Sequence, residues 1–212
     1  MIDEEIQAYS EDHTTEESPL LKKINRDTHA NVLMPRMLSG HVQGRILSMF
    51  SNMIKPDVIL EIGTYTGYSA LCLSEGLTNT GKIITIDIDE ELEERVRGFF
   101  AESEFVNKID YRIGNALDII PEIDETIDLV FIDADKVNYL NYFDLVIDKL
   151  RSGGIIIADN VLWSGKVIEG REKKPTKDTE GLKAFNASIQ NNKRVENVLM
   201  PVRDGLMVIR KL

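Results

Sequence analysis

The sequence predicts an α/β fold: a doubly wound, seven-stranded sheet, mostly parallel with an antiparallel strand at the C-terminus, preceded by a helical N-terminal extension. Three observations carry this. From Val58 onward, β-branched apolar runs alternate with helical patterns at the spacing of βαβ units. Two of these runs, Ile127 to Ile132 and Ile155 to Ile157, lead into Asp133-Ala134-Asp135-Lys136 and Ala158-Asp159-Asn160. Both are polar clusters at the strand edge where open α/β sheets bind ligands. Finally, the segments 195–200 and 206–210 read as two strands joined by a short loop with Asp204-Gly205, a hairpin signal that turns one strand antiparallel.

The elements follow in order. Asp3 to Glu17 is polar and acidic with sparse apolar positions, Ser18-Pro19 is a cap and first-turn signature for a helix to about His29, and Gly40 to Met53 carries Val42, Ile46, Leu47, Met49 and Phe50 at helical spacing. Such an extension covers a pocket or pairs with another subunit. Strands are expected at 58–62, 82–87, 109–113, 127–133 and 155–159, and helices at 67–76, 90–104, 138–150 and 179–190. Ser164 to Gly181 is the one long loop, a lid or a solvated excursion. Residues 1–212 are expected to form a single domain, with 1–53 as the extension and 58–212 as the core.

Composition narrows the function classes. Hydrophobic content of 42% and charged content of 29% suit a globular protein, and no apolar run approaches the roughly 20 residues of a membrane span. Met1 to Glu17 is acidic and lacks the apolar stretch of a signal peptide, so the expected location is the cytoplasm. A net charge of −11 disfavours non-specific contact with nucleic acid or anionic membranes. The single cysteine, Cys72, excludes an intramolecular disulfide or thiolate metal cluster and reads as a core residue of its helix. His13 and His29 lie in the N-terminal helices and read as surface or interface residues; His41 lies nearer the cofactor segment and is not expected to be catalytic.

The candidate chemistry lies at the strand ends. Glu61-Ile62-Gly63-Thr64-Tyr65-Thr66-Gly67-Tyr68-Ser69 joins the first strand to the first core helix, and its glycines allow a sharp turn and close approach of backbone amides to a ligand. Tyr65 stands where a dinucleotide fingerprint would need its second glycine, which argues against a nicotinamide dinucleotide. Asp87 ends the second strand, where a carboxylate accepts from ribose hydroxyls; Asp89 is the better cap for the helix that follows. Gly114-Asn115-Ala116 offers room for an adenine ring. Asp133, Asp159 and Asn160 are hard oxygen donors suited to a divalent cation, with Lys136 beside them.

With these motifs assembled, the chain resembles class I S-adenosylmethionine-dependent methyltransferases of Rossmann-like fold. It is most similar to the cation-dependent O-methyltransferase family that includes catechol and caffeoyl-coenzyme A O-methyltransferases, in particular its bacterial branch. The similarity runs from about Leu33 to the C-terminus through Glu61 to Ala70, Phe131 to Lys136 and Ala158 to Val167. It implies that Met37, Ser39, Glu61, Gly63, Ser69, Asp87, Ala116 and Asp133 contact S-adenosylmethionine. It further implies that Asp133, Asp159 and Asn160 hold Mg2+ or another divalent cation, that Lys136 is catalytic, and that Trp163 and Ser164 line the acceptor pocket. Lys136 would accept the acceptor's proton or, staying protonated, orient the anion. Ser164 stands where plant phenylpropanoid enzymes have an asparagine, which disfavours a plant-type coenzyme A thioester and favours a small catechol-like or phenolic acceptor. A homodimer is expected.

Three other readings compete. A tRNA hydroxyuridine O-methyltransferase would use the same site, with Lys22-Lys23 and the basic run Arg171 to Lys177 as phosphate contacts. An NAD-dependent oxidoreductase is disfavoured by Tyr65 and the terminal hairpin. A non-catalytic binding module is disfavoured by the apparently complete set of metal ligands and lysine.

Overall fold

The apolar runs from Val58 onward become strands because they bury both faces. Ile59, Leu60 and Ile62 on β1 (Val58–Ile62), Ile83, Ile84 and Ile86 on β2 (Lys82–Asp87), and Leu129 to Ile132 on β4 (Ile127–Ile132) are all buried. Each such side chain contributes about 1.5–3 kcal/mol relative to exposure. The computed structural model describes residues 4–212, and the chain forms two compact units that divide between Asn115 and Ala116. The strand order is β3-β2-β1-β4-β5-β7-β6, a seven-stranded mixed sheet.

The first unit holds helices α1 (Glu4–Asp12), α2 (Pro19–Asn31) and α3 (Gly40–Ile54), then β1, α4 (Tyr68–Ser74), β2, α5 (Glu93–Ala101) and β3 (Ile109–Ile113). Asp3, the expected start of the first helix, lies outside the described residues. Its three strands are parallel, with Glu61 beside Thr85 and Asp87 beside Ile113. Ser18 caps α2, its hydroxyl accepting from the Leu21 amide with Pro19 in the first turn. The extension is pinned to the glycine turn: the Tyr68 hydroxyl donates to Glu17 at 2.7 Å, and Thr28 donates to Thr66 at 3.1 Å. Helices α3 and α4 are joined by the Arg45–Glu75 fork at 2.7 and 2.9 Å, with the Ser48 hydroxyl also on Glu75. Cys72 is fully buried between them, the core residue the sequence suggested, and burial pushes its thiol up to about 12.

The second unit holds α6 (Ala116–Ile119), β4, α7 (Tyr139–Val146), β5 (Leu150–Ala158), α8 (Lys177–Asn191), β6 (Val195–Met200) and β7 (Leu206–Lys211). Strand β5 runs parallel to β4 and antiparallel to β7, and β6 pairs antiparallel with β7, so the terminal hairpin inserts as expected. Several boundaries differ from the sequence reading. The helix expected over 138–150 ends at Val146, and Leu150 opens β5 opposite Ile127. The ladder to β4 is irregular here: Ile127 pairs with Leu150 and Leu129 with Ile155, so Arg151-Ser152-Gly153-Gly154, with Gly153 at a φ of 73°, bulges between the two paired positions. Helix α8 starts inside the expected long loop because the Thr176 hydroxyl accepts from the Thr179 amide at 3.3 Å. Likewise the helix expected over 90–104 is a short 3-10 turn, Glu90–Leu92, followed by α5, with Asp89 as the cap. Among the described residues no helix is long and apolar enough to cross a membrane.

Two glycines give opposite expectations. A methyl group at Gly76 would lie 2.1 Å from the Ser51 carbonyl carbon, so Gly76→Ala should cost about 1–3 kcal/mol by forcing the end of α4 off α3. Gly98 sits exposed in α5 with nothing within 4 Å of that position, so Gly98→Ala should add about 0.5–1 kcal/mol. Urea denaturation of the two variants measures both.

Candidate active site

In the first unit, the turn from β1 to α4 is built by local bonds that follow from its residue types. The Gly63 amide donates to the Ile86 carbonyl at 2.9 Å with φ at 102°, and the Gly67 amide donates to the Thr64 carbonyl at 2.8 Å with φ at 81°. A methyl group on Gly67 would lie 2.7 Å from the Phe100 ring. Between the glycines, Tyr65 takes a left-handed φ of 49°, unusual for an aromatic residue. Two contacts hold it there: its amide donates to Asp87 Oδ2 at 2.6 Å, and its hydroxyl reaches the carbonyls of Leu33 and Met34 at 3.1 and 3.3 Å. The non-glycine residue that weakened a dinucleotide reading is thus an organised part of the turn.

Asp87 accepts from two backbone amides, Tyr65 on Oδ2 and Asp89 on Oδ1 at 2.9 Å, so its carboxylate is aimed at the end of β2. Asp89 is the cap, accepting from the Glu91 amide. Glu61 is fully buried, and the Thr85 hydroxyl lies 2.5 Å from both Glu61 Oε2 and Thr64 Oγ1. Thr85 had no visible role in the sequence; its position opposite Glu61 in the β1–β2 register supplies it. Ser69 is buried in the first turn of α4, Ser39 is buried at the start of α3, and Met37 is 54% exposed. The Gly114 amide donates to the Asp87 carbonyl at 2.8 Å.

In the second unit, Ile132 and Ala158 are register partners at the ends of β4 and β5, which sets the residues after them, Asp133 and Asp159, on adjacent strand ends. The Asp159 amide donates to the Ile132 carbonyl at 2.9 Å, and Asp159 Oδ1 accepts from the Asn160 amide at 2.7 Å. Asn160 turns the chain with a φ of 59°. Lys136 is only 8% exposed. Its ammonium donates to Asp133 Oδ1 at 2.9 Å and to the Tyr139 hydroxyl at 2.7 Å, which in turn donates to the Asp159 carbonyl at 2.9 Å. Tyr139 is fully buried, and burial drives its hydroxyl well above the usual tyrosine range, so it stays a neutral relay. Asp135 points elsewhere, accepting from Tyr142 and Asn138. Ala116 is buried at the start of α6.

Trp163 and Ser164 follow on a tight turn, with the Lys136 ammonium 6.0 Å and the Lys166 ammonium 5.8 Å from the Trp163 ring. Sequence reasoning missed Tyr139 and Asp204. The signal for Tyr139 was a polar-tipped residue three positions after Lys136, on the next turn of chain. For Asp204, read only as hairpin punctuation, no local signal existed. Of the basic residues considered for phosphate contact, Lys22 is paired with Glu16 at 2.5 Å and Lys23 with Glu102 at 2.6 Å.

The donor chemistry fits a hard divalent cation. Among the described residues no three of His, Cys, Asp and Glu converge. Asp133, Asp159 and Asn160 instead combine two carboxylates with an amide, all oxygen donors of the kind magnesium and calcium take. The paired acids on adjacent strand ends, and an ammonium drawn against one of them, mark a place where positive charge is favoured.

Comparison with known proteins bears on the family. The family model described as O-methyltransferase matches residues 11–212. Caffeoyl-CoA O-methyltransferase 1 of Arabidopsis thaliana is 34% identical over 186 residues, covering 83% of this chain and 72% of the relative. The SAH-bound methyltransferase of Podospora anserina has a TM-score of 0.91 at 26% identity, covering 100% of this chain and 97% of that one. The O-methyltransferase from Bacillus cereus in complex with SAH has a TM-score of 0.88 at 28% identity, covering 97% of each chain. A match that begins at residue 11 and reaches the last residue leaves one assignment: the chain belongs to the O-methyltransferase family, enzymes of class I that use S-adenosylmethionine.

Proposed function

We propose that this chain is a divalent-cation-dependent O-methyltransferase that transfers the methyl group of S-adenosylmethionine to a hydroxyl of a small catechol-like or phenolic acceptor. The observation that carries the reading is the linked set Asp133, Lys136, Tyr139 and Asp159, in which an almost buried ammonium is held beside paired carboxylates by a neutral hydroxyl. The oxygen-only donor set supports a cation, and the caffeoyl-CoA O-methyltransferase relatives support a hydroxylated aromatic acceptor. On this reading the chain is one methyltransferase domain working as a homodimer. The exposed apolar residues Ile6 and Tyr9 on α1, and Met49 and Met53 on α3, offer the extension a face for a second copy.

The residues divide the work by chemistry. Glu61 and Ser69 recognise the amino acid end of the donor, Gly63 lets the backbone approach it, and Asp87 accepts from the ribose hydroxyls, with Met37, Ser39, Ala116 and Asp133 completing its contacts. Asp133, Asp159 and Asn160 hold the cation. A bound cation favours the anionic form of a phenol whose pKa is about 10, and the sulfonium donor brings an already electrophilic methyl group. As a neutral amine, Lys136 receives the proton of the acceptor hydroxyl and so becomes the ammonium, whose direction Tyr139 fixes by accepting from it and donating onward to the Asp159 carbonyl. Trp163 and Ser164 orient the acceptor ring. Positioning of this kind can supply roughly 7–11 kcal/mol.

Three measurements test this reading. Methyl transfer to catechol with labelled donor should vanish in EDTA and return with magnesium; turnover that persists in EDTA sinks the metal assignment. Asp159→Ala should lose turnover while its affinity for S-adenosylhomocysteine, measured by calorimetry, stays at the wild-type value. Lys136→Met should lower kcat by about 10²- to 10⁴-fold with the same retained affinity. Running phenols and modified tRNA beside catechol assigns the acceptor class.

A further inference from the structure

The segment after β5 is a run of unfavourable backbone. Asn160, Trp163, Ser164 and Gly165 have φ values of 59°, 48°, 54° and 77°, and only the last is a glycine. For a tryptophan this conformation is a clear outlier, and such residues persist only where their surroundings over-determine them. The surroundings come from the β6–β7 loop. The Asp204 carboxylate accepts from the Ser164 amide at 2.5 Å, the Asp204 carbonyl accepts from the Leu162 amide at 2.9 Å, and the Gly205 carbonyl accepts from the Val161 amide at 3.2 Å. Gly205 lies flat against Leu162: a methyl group there would come within 2.5 Å of Leu162 Cγ. One short loop therefore binds three backbone amides, those of Val161, Leu162 and Ser164, in the segment carrying Asn160 and Trp163.

We propose that Asp204 is a positioning residue that holds the Asn160–Gly165 turn in the shape that receives the acceptor. The inference rests on the reading above that Trp163 and Ser164 line the acceptor site. Asp204 does not touch the reacting atoms. Its carboxylate satisfies an amide that the left-handed turn would otherwise leave pointing into the loop, and so sets where the Trp163 ring stands. The hydroxyl-bearing aromatic acceptor then meets a ring already in place, which lowers the ordering cost of its binding.

Trp163 is the single tryptophan of the chain, so its fluorescence reports this turn alone. In Asp204→Ala, acrylamide quenching of Trp163 should rise about twofold and the KM for catechol should rise about tenfold, the scale of losing one hydrogen bond to a charged acceptor. Affinity for S-adenosylhomocysteine should not change, which separates this effect from general unfolding. Asp204→Asn keeps an oxygen for the Ser164 amide and should restore both readouts toward wild type. Unchanged quenching in the alanine variant, an unchanged catechol KM despite a loosened Trp163, or an asparagine variant as impaired as alanine would each overturn the inference. If the alanine variant does not fold, hydrogen exchange of the wild-type protein decides: the Leu162 and Ser164 amides should be protected, and exchange as fast as that of residues 166–176 overturns the proposal. A wild-type enzyme inactive on every catechol would sink the acceptor class but not this contact, which fluorescence and exchange still decide.

Discussion

The register between β4 and β5 is the constraint on which the second unit depends. Pairing Ile132 with Ala158 sets the next residues, Asp133 and Asp159, on strands about 4.8 Å apart. Two acids brought this near repel, and burying Asp159 to 3% exposure worsens the repulsion. Lys136 relieves it from one side. An ammonium at 8% exposure in turn requires partners, and it has Asp133 and the Tyr139 hydroxyl. Tyr139 closes the chain of dependence by donating to the Asp159 carbonyl, so the strand end, the lysine and the second acid are fixed as one set.

The first unit solves a different problem, presenting backbone to a ligand. A turn with two left-handed glycines is easy to build, but a left-handed Tyr65 between them has an unfavourable backbone that something must offset. Asp87 does so through the Tyr65 amide, and the Leu33 and Met34 carbonyls do so through its hydroxyl. The Asp87 carboxylate at the end of β2 thus holds the turn, which couples the end of β2 to the end of β1. The phenol contact ties in the segment between α2 and α3, giving the N-terminal extension a part in shaping this turn.

Much of this was legible in the chain. The acid-ended apolar runs located Asp133 and Asp159, the glycine spacing located the turn, Ser18-Pro19 marked the start of α2, and Asp89 was identified as a better cap than Asp87. Each of these rests on neighbours within a few positions. The early start of β5 was not legible, because Leu150 is fixed by its pairing with Ile127 on β4, and Arg151-Ser152-Gly153-Gly154 is the bulge between that pair and Leu129–Ile155. Thr85 was missed for a similar reason: its bond to Glu61 exists because parallel pairing sets residues 24 apart side by side.

By itself the sequence determined the fold class, the positions of the strand ends and the residue types available there, since these follow from local periodicity and turn chemistry. Tertiary structure decided which oxygen faces which donor. It turned Tyr139 from a helix-start aromatic into the relay between Lys136 and Asp159, and Asp204 from hairpin punctuation into the anchor of the Trp163 turn. Both roles depend on hydrogen bonds across 20 and 40 residues of chain, and a bond of that reach is fixed only when the strands between its ends have paired.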